Sequence, residues 1–514
     1  MKISWESFAT QLIDGGFVCN TGEWDGIYQN SLLIDPDFAL FLAHNKAGKR
    51  LILLKRKNCT LFTDIVEVES GKIHEVPFKV AELSYENAIV MRRHFPFMKP
   101  VAFGRNSFSL GLGDRLGLAS PGHIRCLKGT KIRPVLAQQS VRELNLTERT
   151  YKDVLDAASW AVLQEGFHDG FGADGDHLKQ EEHVRIALDL GYSMITLDCS
   201  EKIDNTVDSW DAAEVALQYA KLAPALKQRM EKDYLDQTFN VGENKITIGM
   251  EALQRTVLTY GATLSFIKEI HEKHIARHPE KVDFELSIDE TATPTTAEAH
   301  YFMAAEMVKA GVELTSMAPR FCGEFQKAID YIGDLAQFET EFAVHAAIAD
   351  HFGYRLSIHS GSDKFKVFPI IGQYTAGRVH VKTAGTNYLE ALRVICRVDP
   401  GLFRTICAHA KMRFPDATKY YHVTTDLAKI PDADKLTDAE LERMLIEENA
   451  RQLLHITFGF ILTDKDSQGN FLFRDHLYQI WNEHEDDYAD ILIRHIGLHV
   501  KFLTERLTDG KVAE

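Results

Sequence analysis

No window of this 514-residue sequence approaches the roughly 18 consecutive apolar residues of a membrane span, and the opening segment, Met1 to Glu6, lacks the basic and apolar regions of a secretion signal. The expectation is a cytoplasmic protein that keeps off membranes. Paired cysteines are missing too. Seven cysteines (Cys19, Cys59, Cys126, Cys199, Cys322, Cys396 and Cys407) are scattered irregularly with no Cys-x-x-Cys, which reads as reduced thiols and excludes a disulfide framework. Positive charge is scarce: a formal net charge of −16 argues against general nucleic-acid binding, which needs a basic footprint on phosphates. A few local Lys or Arg residues can still hold the carboxylate of a small acidic substrate. The sequence has no phosphate-cradling GxxxxGK[ST] and no GxSxG nucleophile elbow. Gly111-Leu112-Gly113-Asp114-Arg115-Leu116-Gly117 approximates a dinucleotide loop, but its third glycine falls one place late and its acidic partner is missing, so no nicotinamide site is expected there. A sugar or anion contact by that turn stays open.

What is present is ordinary globular material, 45% hydrophobic and 26% charged, in a chain long enough for one large catalytic domain with additions or for two to three domains. Residues 1–130 read as an N-terminal α+β region. Its clearest feature is a hairpin, FALFLAH (38–44) and RLILLKR (50–56) about the polar turn NKAGK. After Pro134 strand-like runs alternate with helix-like ones. The strand candidates are PVLAQQS, FGAD, SMITLDCS, FELSIDET, VELTSMAP, YRLSIHS and RVHVKTAG; the helical stretches include 148–165, 180–190, 297–310 and 326–352. Such alternation implies right-handed βαβ units and a parallel sheet. Seven strands between Pro134 and about Gly385 fit an α/β fold of the TIM type, a (β/α)8-like barrel with one strand unrecognised. The barrel domain is placed at 131–436, with a helical insertion at 205–278 showing little strand signal. Residues 437–514 read as a helical C-terminal extension, with apolar residues at three-to-four spacing.

In parallel α/β folds the catalytic groups gather at the carboxyl ends of the strands. That rule selects Asp174, Asp176 and His177, then Asp198, then Asp289 with Glu290, Arg320, His359 with Asp363 and Lys364, and Lys382 with Thr383. The densest cluster is FGADGDHLK (171–179), with two carboxylates, an imidazole and the ammonium of Lys179 around a glycine. It could serve a metal and a proton transfer, or be an Asx-turn capping the next helix. His359 at a strand end suits a divalent ion, especially if paired with His177. One of Asp289 and Glu290 should face the mouth, where a carboxylate can exchange a proton; the alternative for both is helix capping. Arg320 and Lys382, with Lys179, are the cations available for an acidic substrate.

These segments, together with GLGDRLGLASPGH (111–123), SIDETATPT (287–295), APRFCGEFQKAIDYIGDL (318–335) and IHSGSDKF (358–365), resemble the tagaturonate/fructuronate epimerase family of hexuronate catabolism. The resemblance implies an isomerase that uses a divalent metal (zinc, manganese, nickel or cobalt), a proton acceptor and a proton donor on a sugar-acid substrate. It implies Asp176 as acceptor, His177 and His359 as ligands, and a carboxylate of FELSIDE as donor, Glu290 before Glu285; Gln326 is the expected third ligand. The two keto-acids differ at the carbon β to the ketone, whose hydrogen the carbonyl does not acidify. Simple enolisation therefore cannot invert it, and without a nicotinamide site the favoured route is retro-aldol cleavage and re-addition. The competing readings are a metal-dependent ketose isomerase or 3-epimerase acting through an enediol, and a non-catalytic carbohydrate-binding protein.

Overall fold

The computed structural model describes residues 5, 18–19, 22–24, 26–45, 48–73, 75–383 and 385–507. Along Asp283-Phe284-Glu285-Leu286-Ser287-Ile288 polar and apolar side chains alternate, and a period of two sends them to opposite faces of a strand. Both faces are buried here. Phe284, Leu286 and Ile288 join the main hydrophobic core, while Asp283, Glu285 and Ser287 turn to the other side, where Asp283 meets Arg355, Glu285 meets Thr196 and Ser316, and Ser287 donates to Asp289. That pattern fits one wall of a barrel whose interior is polar.

Eight strands close that barrel: β6 (Ser109–Gly111), β7 (Arg133–Ser140), β8 (Gly172–Leu178), β9 (Met194–Asp198), β10 (Asp283–Ile288), β11 (Ser316–Pro319), β12 (Arg355–Ile358) and β13 (Val379–Lys382). Every neighbouring pair is parallel, and the ring closes through β13 with β6, β6 with β7 and β7 with β8. The strand unrecognised in the sequence is β6, upstream of residue 131, so the glycine-rich segment is the loop that follows the first barrel strand. Asp114 organises that loop, its carboxylate accepting the amides of Leu116, Gly117 and Ala119 at 2.8–3.0 Å. Gly111 leaves room for the Gln138 side chain: a Cβ there would lie 2.4 Å from Gln138 Oε1 on the adjacent strand.

Upstream, β1 (Gly26–Ile34), β2 (Phe38–Asn45), β3 (Gly48–Lys55), β4 (Glu69–Ile73) and β5 (Val76–Ala81) form an antiparallel sheet in the order β1-β2-β3-β5-β4. The expected hairpin is β2 with β3, in register from Phe38 opposite Lys55 to Asn45 opposite Gly48. Helices Tyr151–Gln164, Glu181–Asp189, Ala297–Lys309 and Leu335–Phe352 follow their strands around the barrel. The last begins nine residues later than the 326 expected from sequence, because Asp334 caps it on the Ala336 and Gln337 amides and the stretch before it is a loop. The insertion between β9 and β10 contains helices and also a hairpin, Thr238–Val241 with Asn244–Thr247. Helices from Thr386 to Thr504 pack into a second core beside the barrel.

Candidate active site

The alternation that builds the barrel carries its inward side chains to the mouth. Lys382 Nζ, at the end of β13, donates to Asp174 Oδ2 at 2.8 Å, Asp176 Oδ1 at 2.7 Å and Thr196 Oγ1 at 2.6 Å, and lies 3.0 Å from Glu285 Oε1. Burial disfavours its charge, but the three carboxylates hold its pKa well above the usual lysine value. The same contacts divide the acids. Burial pushes Asp174 up, against Lys382. Asp176 is also buried, yet His177 and Lys382 hold its carboxyl well below the usual range. Glu285 is held low in the same way by Lys382 and His359.

His177 enters by a backbone irregularity. The register of β8 against β9 shifts between Gly175 and Leu178, and His177 takes a left-handed φ of 54°, a bulge that re-aims one side chain at a functional surface. Its Nδ1 donates to Asp176 Oδ1 at 2.8 Å, which leaves Nε2 for another partner. The ring stands 4.7 Å, centre to centre, from that of His359. His359 Nε2 donates to Glu285 Oε1 at 2.9 Å. Its Nδ1 lies 3.2 Å from Asp289 Oδ2 but has no well-formed hydrogen bond, although it is buried. Burial opposes charge on this ring, and the neighbouring Asp289 and Glu285 overcome it, pushing the pKa up to about 10. The surplus of negative charge that draws a proton there would also draw a metal cation. Ligand atoms of His177, Asp289 and His359 all lie within 4.8 Å of one another, and two imidazoles with one carboxylate suit a divalent transition metal.

These groups open on a cavity of about 870 Å³. Of the residues expected from sequence, Asp176, His177, His359 and Lys382 are brought together. Glu290 lines the cavity but is exposed, its carbonyl accepting from Asn205 Nδ2 at 3.1 Å. Lys179 stands 3.7 Å from Asp198 Oδ2, and Arg320 donates to the Thr291 carbonyl. Gln326 lines the same cavity as the two histidines, and its Oε1 accepts from Thr424 N at 3.1 Å, Thr424 Oγ1 at 2.9 Å and Gln452 Nε2 at 2.9 Å. Asp289 is the carboxylate grouped with the two histidines. The charge of Lys382 is spent on the protein's own carboxylates. Glu285, ranked behind Glu290 in the sequence, is fully buried against His359 and Lys382, and strand parity is the signal that finds it: Asp283, Glu285, Ser287 and Asp289 share one face, whereas Glu290 is out of step.

The loop after β12 is held from outside the barrel. Asp363 pairs with Arg451 and with His495 Nε2 at 3.0 Å. Its amide donates to His499 Nε2 at 3.1 Å. His499 Nδ1 is taken by the His495 carbonyl, so both nitrogens of that ring are used in tying the loop to the C-terminal helix. Lys364 Nζ donates to the carbonyls of Gln326, Ile329 and Ser362 at 2.6–2.8 Å. Asp363 and Lys364 therefore anchor the loop that carries His359.

A closed parallel barrel with buried acids, a lysine and two histidines converging on one mouth defines a (β/α)8-barrel enzyme. A family model for tagaturonate epimerase matches residues 28–503. The chain is 38% identical over 481 residues to the tagaturonate/fructuronate epimerase of Thermotoga maritima, covering 93% of this chain and 96% of that one. The glycerol-complexed crystal structure of the fructuronate-tagaturonate epimerase of Cohnella laeviribosi has a TM-score of 0.90 at 49% identity, over 93% of this chain and 96% of that one. The native structure of the same enzyme gives 0.91 at 47%, over 97% and 99%. The chain belongs to the tagaturonate epimerase family and is an enzyme of the epimerase class.

Proposed function

We propose that this protein interconverts D-tagaturonate and D-fructuronate in a divalent-metal-dependent reaction that proceeds by retro-aldol cleavage and re-addition. The observation that carries the reading is the convergence of His177, His359 and Asp289 beside the Asp176 carboxylate. Those three residues would hold the ion, which when bound supplies Lewis acidity to the substrate's oxygens.

The protein's own groups divide the proton work. Asp176 stays ionised at neutral pH, since His177 and Lys382 hold its pKa low. Both contacts fall on Oδ1, so Oδ2 is left to accept the proton of the hydroxyl at the carbon being inverted. Loss of that proton lets the carbon-carbon bond break to an aldehyde and an enediolate. Rotation of the aldehyde and re-addition form the same bond on the opposite face, and the new alkoxide then takes up a proton. Glu285 is unsuited to supply it, because Oε1 is taken by Thr196, His359 and Lys382 and Oε2 by Ser316 at 2.6 Å. Glu290 lines the cavity with no such commitments and is assigned as donor.

The test is to incubate metal-stripped and metal-restored protein with D-tagaturonate and to resolve the products by chromatography. D-Fructuronate should form only in the restored sample. Equal turnover after stripping would remove the metal from the reaction, and no fructuronate in either sample would remove the substrate.

A further inference from the structure

The cavity at the barrel mouth carries charges of both signs. Asp176 and Asp289 line it beside His177 and His359, and Arg115, Arg142 and Lys327 line it as well. Two of these cations are engaged or outlying. Arg115 Nη2 lies 2.8 Å from Glu143 Oε1. Arg142 is exposed and donates to the Tyr420 carbonyl at 3.2 Å. Lys327 donates to Ser360 Oγ at 2.9 Å, and among the described residues no carboxylate forms an ion pair with it. Burial presses its pKa below the ordinary lysine value, and Arg142 and Arg115 add to that, against a weaker pull from Glu143 and Asp176. An ammonium in this position lacks a counter-ion.

A second observation falls in the same corner. His455 is 1% exposed and lines the cavity, and its Nδ1 is buried without a hydrogen-bond partner. The positive charges of Arg115 and Lys327, after burial itself, keep this ring neutral. Room for it is made by Gly385, where a Cβ would sit 1.8 Å from His455 Nε2. Buried polar groups are rarely left unpaired in a finished site, so an ammonium without a counter-ion beside an imidazole nitrogen without a hydrogen bond points to an anionic ligand. The cations singled out in the sequence are less suited: Lys382 is neutralised by three carboxylates, Lys179 faces Asp198 and Arg320 is held on a backbone carbonyl.

We propose that Lys327, with Ser360 and His455, forms the subsite that takes the carboxylate of the sugar acid and so discriminates uronates from neutral ketohexoses. The ligand class rests on the reaction proposed above. Bound in this way, the substrate has its carboxylate on Lys327 and its hydroxyl-bearing carbons directed to Asp176 and Asp289.

The experiment is calorimetric binding of D-tagaturonate and of its neutral counterpart D-tagatose to wild type and to K327M, with K327R as the charge-retaining control. Wild type should bind tagaturonate at least about tenfold more tightly than tagatose. K327M should weaken tagaturonate about 10- to 100-fold, the worth of one charged hydrogen bond, and leave tagatose nearly unchanged; K327R should keep most of the preference. Should K327M fail to fold, K327Q carries the same comparison. Wild type that prefers tagaturonate but does not epimerise it would sink the reaction and leave the subsite standing. Unchanged tagaturonate binding in K327M, equal loss of both sugars, or a wild type with no preference would overturn the inference.

Discussion

Asp176 illustrates how one carboxylate is prepared by its neighbours. An ammonium and an imidazole share Oδ1, which keeps the group ionised and leaves the other oxygen open. Replacing it by asparagine keeps the shape and removes the base. D176N should therefore retain its melting temperature within a few degrees and its metal content, while kcat falls about 10²- to 10⁴-fold; near-normal turnover would move the acceptor elsewhere. The histidines should behave differently. H177A and H359A each remove one imidazole from the group formed with Asp289, and an open catalytic metal site does not hold a fold together. Both variants should lose bound metal and activity yet keep the wild-type circular dichroism spectrum. Full metal occupancy by elemental analysis in either would take that residue out of the ligand set.

At the scale of elements, the loop that follows β12 depends on the C-terminal helix Glu485–Thr504. Asp363 receives Arg451 and His495 and stands beside His499. Burial opposes its charge, but His495, His499 and Arg451 hold its carboxyl well below the usual range. Burial likewise opposes charge on His495, and Asp363, with Glu390 behind it, raises that ring above its ordinary value. A raised histidine contributes stability that is complete below its unfolded pKa of about 6.5 and is lost as pH rises through its folded value. A depressed aspartate contributes stability that is present above about 3.9 and lost as pH falls through its folded value. Both contributions are complete between about pH 4 and 6.5. D363N, which breaks a buried ion pair, should cost about 3 kcal/mol near pH 6, and its deficit against wild type should narrow as pH rises to 9. Denaturant unfolding at the two pH values checks this, and a deficit independent of pH would contradict the coupling.

For the whole molecule, the barrel presents opposed charges to one substrate and has to invert a centre that enolisation cannot reach. Retro-aldol chemistry breaks a carbon-carbon bond and moves only the hydroxyl proton, so a substrate deuterated at the inverted carbon should give product with the label retained. Enolisation at the ketone's own α-carbon would exchange the neighbouring hydrogen with solvent, and hydride transfer would carry the label through a reduced nicotinamide with a primary isotope effect. Mass spectrometry of the isolated fructuronate reads the outcome directly. Washout of the label into water would exclude the cleavage route.

The alternation of strand-like and helix-like runs, together with the ionisable residues at strand ends, was enough to read a parallel barrel and to single out Asp176, His177 and His359 as candidates, because those are local patterns in a single stretch of chain. The strand β6 was not legible: Ser-Leu-Gly is three residues, too short for any periodicity, and is a strand only because β13 and β7 flank it. Asp289 could be narrowed to a pair by its position after FELSI, and parity resolves the pair once the inward face is known. Gln326 reaches the cavity from a loop, where its side-chain oxygen is held by Thr424 and Gln452, about a hundred residues away in sequence, a partnership no local pattern announces. Sequence alone determined which residue types stand at each strand end, since hydrophobic period and turn chemistry act over a few residues. Only the tertiary structure decided that Lys382 is neutralised by three acids while Lys327 has no counter-ion among the described residues, because charge pairing depends on distances between strands and loops that meet only when the barrel closes.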